Sequence, residues 1–136
     1  MKPFLILQLR PEDDTSDNEF EAILKYGELN VENTHRIRIE QNGIPELSLD
    51  NYSAIIVGGS PFDISTPEAD KLPIQVQIES DFKRLFDRVV PNDFPFLGAC
   101  SGSGLLGSYL NTRITRKYRE ADLVRQVKKN KSLWTV

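Results

Sequence analysis

Phe94-Pro95-Phe96-Leu97-Gly98-Ala99-Cys100-Ser101-Gly102-Ser103-Gly104-Leu105-Leu106-Gly107 is the stretch from which the rest of this chain is read. Phe96–Ala99 is a short apolar run of strand type, and the spacing predicts a helix from about Gly102 to Leu110. Between them stands Gly98-x-Cys100-x-Gly102, built around the only cysteine of the chain. The central residue of a strand-to-helix elbow sits in strained backbone. Glycines two positions away let neighbouring chain approach where a Cβ would clash. Such an elbow lifts Cys100 to the carboxyl edge of a parallel sheet as a candidate nucleophile. It also sets the thiol near the positive end of the following helix, which favours the thiolate. The N–H of Ser101, the next residue, would face a developing oxyanion.

Upstream, Tyr52-Ser53-Ala54-Ile55-Ile56-Val57 is a β-branched strand bounded by Gly58-Gly59-Ser60-Pro61, a second glycine-rich loop. Gly59 is the candidate for a second oxyanion donor, because glycine permits a backbone N–H to turn into a site. Pro73 to Val89 has apolar residues at Ile74, Ile78, Phe82, Leu85, Phe86 and Val89, which is helical periodicity, and proline suits the first turn. Phe4–Leu9 is a continuous apolar run, as expected for a strand covered on both faces. Arg10–Asp17 reads as a polar loop whose acids are solvated, with Ser16 or Asp17 as helix cap. Asn18–Tyr26 is then helical, with Gly27 as its stop. Thr34–Ile39 alternates apolar and basic residues, so it is a strand nearer the sheet edge.

This alternation of strands and helices predicts an α/β fold with an open, mostly parallel sheet and helices on both faces, flavodoxin-like in layout. In such sheets sites form at the carboxyl ends of strands, where both glycine-rich loops fall. The 136 residues fit one domain. No apolar run reaches the roughly 20 residues of a membrane span, so no membrane partner is expected. A lone cysteine makes no internal disulfide, which places the protein in a reducing cytoplasm. With one histidine beside it, a structural zinc site is not expected. The only histidine, His35, lies at the start of the second strand, at the sheet edge opposite the elbow, and reads as a surface residue.

The net charge of −3 divides unevenly, into −9 over residues 1–110 and +6 over residues 111–136. The basic stretch lacks interleaved aromatics apart from Tyr118, so nucleic acid is not the expected partner.

The pair Ile56-Val57-Gly58-Gly59-Ser60-Pro61 and Pro95-Phe96-Leu97-Gly98-Ala99-Cys100-Ser101-Gly102 resembles the class I glutamine amidotransferases. The likeness is greatest to free-standing members similar to the amidotransferase domain of GMP synthase. Ile114-Thr115-Arg116-Lys117-Tyr118 also fits, and the resemblance covers residues 1–120. It implies that Cys100 attacks the side-chain amide of glutamine, forming a thioester and releasing ammonia without a cofactor. It assigns the oxyanion to the N–H groups of Gly59 and Ser101 and the elbow to Gly98 and Gly102.

The chain also departs from the family. Gly104 stands where the family has glutamine. The histidine and glutamate that complete the family's triad, and the further strands of its sheet, are not reached. The expectation is therefore an amidotransferase-like domain over 1–120 without its C-terminal part, then a basic, divergent tail over 121–136. In that tail Leu123, Val124 and Val127 make a narrow helical stripe and Trp134 is a stray anchor. Such a sheet has an exposed strand edge that invites self-association or a partner chain, which could donate the missing base. The expected activity is an impaired glutaminase. The alternative is a non-catalytic binding or regulatory module on the same fold.

Overall fold

The leucine- and β-branched runs form the strands, and the first of them lies at the centre of the sheet. In the computed structural model, which describes residues 2–110 and 133–135, β1 is Phe4–Gln8, β2 Thr34–Arg38, β3 Ala54–Val57, β4 Phe96–Gly98 and β5 Leu133–Thr135. All pair in parallel, in the order β2-β1-β3-β4-β5. Among the described residues three α-helices lie between them: α1 (Asp13–Tyr26), α2 (Pro73–Val89) and α3 (Ser101–Tyr109). This is the doubly wound order of flavodoxin-like sheets, with the chain reversing direction between β1 and β3. No helix among the described residues is long and apolar enough to cross a membrane.

Burial on both faces explains why β1 reads as an unbroken apolar run. Leu5, Leu7 and Leu9 join Ile55, Val57 and Phe96 and the α2 residues Ile78, Phe82, Leu85, Phe86 and Val89 in one core. Each such side chain contributes about 1.5–3 kcal/mol on burial. Phe86 lies edge-on to Phe96 with centroids 5.2 Å apart and 5.4 Å from the Tyr109 ring, tying α2, β4 and α3 together. Gln8, with no exposed surface, serves the other face by donating from Nε2 to the Ser16 carbonyl of α1 at 2.8 Å.

The structure departs from the sequence reading in four places. Helix α1 starts at Asp13, a full turn earlier than expected, so Ser16 is a buried residue of its interior and not its cap. Asp13 and Asp14 take up the first turn, where negative charge meets the helix dipole. These acids are also not simply solvated. Asp17 pairs with Arg36 at 2.8 Å, and the Arg38 guanidinium bonded to Asp13 holds that carboxyl below its ordinary range.

Gly27 caps α1 as expected but has φ −84°, and the left-handed residue is Glu28. The largest departure is β5. The sheet continues past β4, which pairs with Leu133–Thr135 in register Phe96↔Leu133 to Gly98↔Thr135. Leu-Trp-Thr is a run of strand type, and a parallel neighbour satisfies the backbone groups of β4. The stretch read as a divergent tail thus supplies a strand. The expected helical stripe at 123–127 lies outside the described residues.

Candidate functional site

Parallel pairing brings the ends of β3 and β4 level, Val57 beside Gly98, and the two glycine-rich loops leave the sheet side by side. Past Gly98 the chain turns through Ala99, whose N–H donates to Val57 O at 2.9 Å, and Cys100. Cys100 has φ 51° and ψ −105°, a backbone conformation that side chains rarely adopt, and immediately precedes α3. Its side chain is exposed. Strain at a non-glycine residue costs on the order of 1–3 kcal/mol and persists where the surroundings enforce it.

The enforcement comes from the flanking glycines. A Cβ on Gly98 would lie 2.5 Å from the carbonyl carbon of Gly102 and 2.7 Å from the nitrogen of Ser103. A Cβ on Gly102 would lie 2.9 Å from Val57 Cβ. Strand and helix therefore meet backbone to backbone, and the intervening residues have no gentler path. Replacing Cys100 by glycine should consequently stabilise the fold by about 1 kcal/mol or more relative to Cys100→Ala, since glycine relieves the positive φ. Thermal denaturation of the two variants checks this, and equal midpoints would contradict it.

Ser101 opens α3, so its N–H has no carbonyl a turn earlier to meet. Its hydroxyl ties the two loops together. Ser101 Oγ accepts from the Ser60 N–H at 2.9 Å and lies 2.9 Å from Ser60 Oγ. Gly104, at the position of the family's glutamine, is buried, and a Cβ there would come within 3.1 Å of Ile64.

Gly59 is where the geometry differs from the expected donor. Its N–H donates to Glu19 Oε2 at 2.9 Å, while Gly58 N–H donates to Leu7 O at 3.0 Å. With Ser60 N–H held by Ser101, each N–H of this turn is engaged within the chain. Neither glycine has a positive φ. Both are needed for room instead: a Cβ on Gly58 would lie 2.2 Å from Glu19 Oε1, and one on Gly59 would lie 2.4 Å from Arg10 Nη2. The sequence reading missed Glu19 and Arg10. The signal was the spacing of Ser16, Glu19 and Ile23 on α1, which sets an acid on the stripe facing the sheet.

His35 lies where the sequence placed it. It pairs with Leu5 near the amino end of β2 and stacks on Tyr52, with Nδ1 2.6 Å from the Tyr52 hydroxyl. Burial pushes that phenol above its ordinary pKa. Three strand spacings, about 14 Å, separate β2 from β4, so His35 does not reach Cys100. No group of three metal-ligating side chains is brought together among the described residues.

The space bordered by Ser60, Ser101 and Leu105 is about 20 Å³. A larger groove, about 550 Å³, runs between α2 and α3 past Lys71, Glu79 and Tyr109.

No protein-family model matches the sequence, and no curated protein sequence matches it. Solved structures do. A glutamine amidotransferase from Methylobacillus flagellatus superposes with a TM-score of 0.59 at 19% identity, over 85% of this chain and 41% of that one. A glutamine amidotransferase from Thermotoga maritima superposes with a TM-score of 0.54 at 20% identity, over 83% and 45% of the two chains. The chain therefore has a class I glutamine amidotransferase-like fold and spans less than half the length of these relatives.

Proposed function

We propose that this chain carries the nucleophile half of a glutamine amidotransferase site. In this reading the Cys100 thiolate adds to the Cδ carbonyl of glutamine, and the tetrahedral oxyanion is held by the Ser101 N–H. Collapse breaks the C–N bond, the departing nitrogen takes a proton and leaves as ammonia, and a thioester remains on Cys100. Water then hydrolyses the thioester to glutamate. The observation that carries the reading is the strained, exposed Cys100 at the head of α3, enforced by backbone contact at Gly98 and Gly102. Gly59 is not assigned as a donor, because its N–H is bonded to Glu19. The chain's one histidine is bonded to Tyr52 at the far side of the sheet, so proton transfer falls to a group from elsewhere and the chain alone is impaired. A reducing cytoplasmic setting suits a functional thiol.

Labelling tests this directly. A chloromethyl ketone built on glutamine should modify Cys100 stoichiometrically and saturably, glutamine should protect, and Cys100→Ala should take up none. Modification no more selective than that of a free thiol, without protection, would overturn the reading. One observation favours the second reading, a binding or regulatory module on this fold. The N–H groups of Gly58, Gly59 and Ser60 are all spent within the chain, which leaves this wall of the site without a free donor. Absence of labelling together with a partner captured through the folded chain would support it.

A further inference from the structure

Glu19 stands on α1, on the sheet face opposite the main core, yet its carboxylate reaches the turn that flanks Cys100. The side chain is 17% exposed and meets three donors: Gly59 N–H at 2.9 Å, Gln8 Nε2 at 3.0 Å and Arg10 Nε at 3.4 Å. Gln8 is itself immobilised, donating to Ser16 O and accepting from Arg36 Nε and Ser16 Oγ. The carboxylate is thus held from below by a fully buried residue and from the side by an arginine. Above it lies the Gly58–Gly59 turn, where any side chain would strike Glu19 or Arg10.

From that turn the connection continues to the nucleophile. Ser60, the next residue, donates its N–H to Ser101 Oγ, and Ser101 adjoins Cys100. Charge matters here, since one acid supplies two oxygens to three donors, and hydrogen bonds to an ionised acceptor are the stronger kind.

We infer that Glu19 is a positioning residue for the Cys100 site, fixing the Gly58–Ser60 turn as the wall against which a glutamine-shaped substrate lies. This role rests on the reading of Cys100 as a glutamine-directed nucleophile. It acts through the turn and not on the reacting atoms. Loss of the carboxylate therefore costs recognition of the substrate and leaves the intrinsic reactivity of the thiol alone.

The test uses the full chain as wild type, Glu19→Ala and Glu19→Gln. Each is modified with the glutamine-derived chloromethyl ketone and, separately, with iodoacetamide, and amide exchange is followed for the peptide containing Gly58–Ser60. In Glu19→Ala the ratio of chloromethyl ketone to iodoacetamide rates should fall roughly tenfold or more, the loss of a hydrogen bond to an ionised group. The iodoacetamide rate should stay unchanged and exchange at the turn should accelerate. Glu19→Gln should recover only part of the ratio, because its amide oxygen still accepts the Gly59 N–H while the charge is lost and its NH2 faces the Gln8 Nε2 donor. An unchanged ratio in Glu19→Ala, or unchanged exchange at the turn, overturns the inference. So does a parallel fall of both rates with a lowered melting temperature, which marks a purely structural residue. A wild-type protein that shows no preference for the glutamine-derived reagent overturns the reading beneath it as well, and does so before any substitution at Glu19.

Discussion

Alanine at Gly98 is expected to destabilise the fold by about 3 kcal/mol, the upper range for overpacking a well-filled interior. The new methyl would lie 2.5 Å from Gly102 C and 2.7 Å from Ser103 N, and both are backbone atoms of the first turn of α3. A crowded side chain escapes by changing rotamer, but backbone escapes only if strand and helix separate. Separation would pull Leu105 and Leu106 away from the core they share with Phe96 and Val57. Since a domain of this size is held by only about 5–15 kcal/mol, the variant should show a clearly lower denaturation midpoint in urea. A shift equivalent to less than about 0.5 kcal/mol, the scatter of neutral surface changes, would mean that the elbow is looser than described.

Glutamine hydrolysis gives the other large effect. With Cys100 present but no histidine near it, steady-state ammonia release should fall on the order of 10⁴-fold or more below that of a complete cysteine–histidine–acid site. Removal of one triad member disables the others, because the nucleophile must be deprotonated and the leaving nitrogen protonated by the same oriented base. His35 cannot take over while it is bonded to Tyr52, about 14 Å of sheet away from β4. A coupled ammonia assay on the purified chain, with Cys100→Ala as blank, makes the measurement. Multiple turnovers that depend on Cys100 would refute the expectation and would require a base that this arrangement does not supply.

Much of the fold was legible because it is written in short-range pattern. Helix α2 runs over Pro73–Val89, as its periodicity and initial proline predict. Strand β4 and helix α3 fall within one or two residues of their expected ends. The placement of His35 was also legible, since the start of a parallel strand lies at the amino edge of its sheet. The errors have local causes too. The acids at Asp13 and Asp14 look like loop residues in isolation, yet they suit the first turn of a helix, so α1 began early. A three-residue strand such as Leu133–Thr135 has too little pattern to be seen without the neighbour it pairs with.

The sequence by itself determined the parallel α/β architecture and the elbow at Cys100. Hydrophobic period, proline position and the Gly98-x-Cys100-x-Gly102 spacing act over a few residues and need no partner to be read. Only the tertiary structure decided how the neighbouring turn is used. The Gly59 N–H meets a carboxylate 40 positions away, and Ser60 meets a hydroxyl 41 positions away. Which of many distant polar groups takes a given N–H depends on how strands and helices pack, and no local pattern encodes it. Gly58 and Gly59 therefore proved to be glycines for a different reason than expected: they leave room for Glu19 and Arg10, and their backbone has no left-handed turn to make.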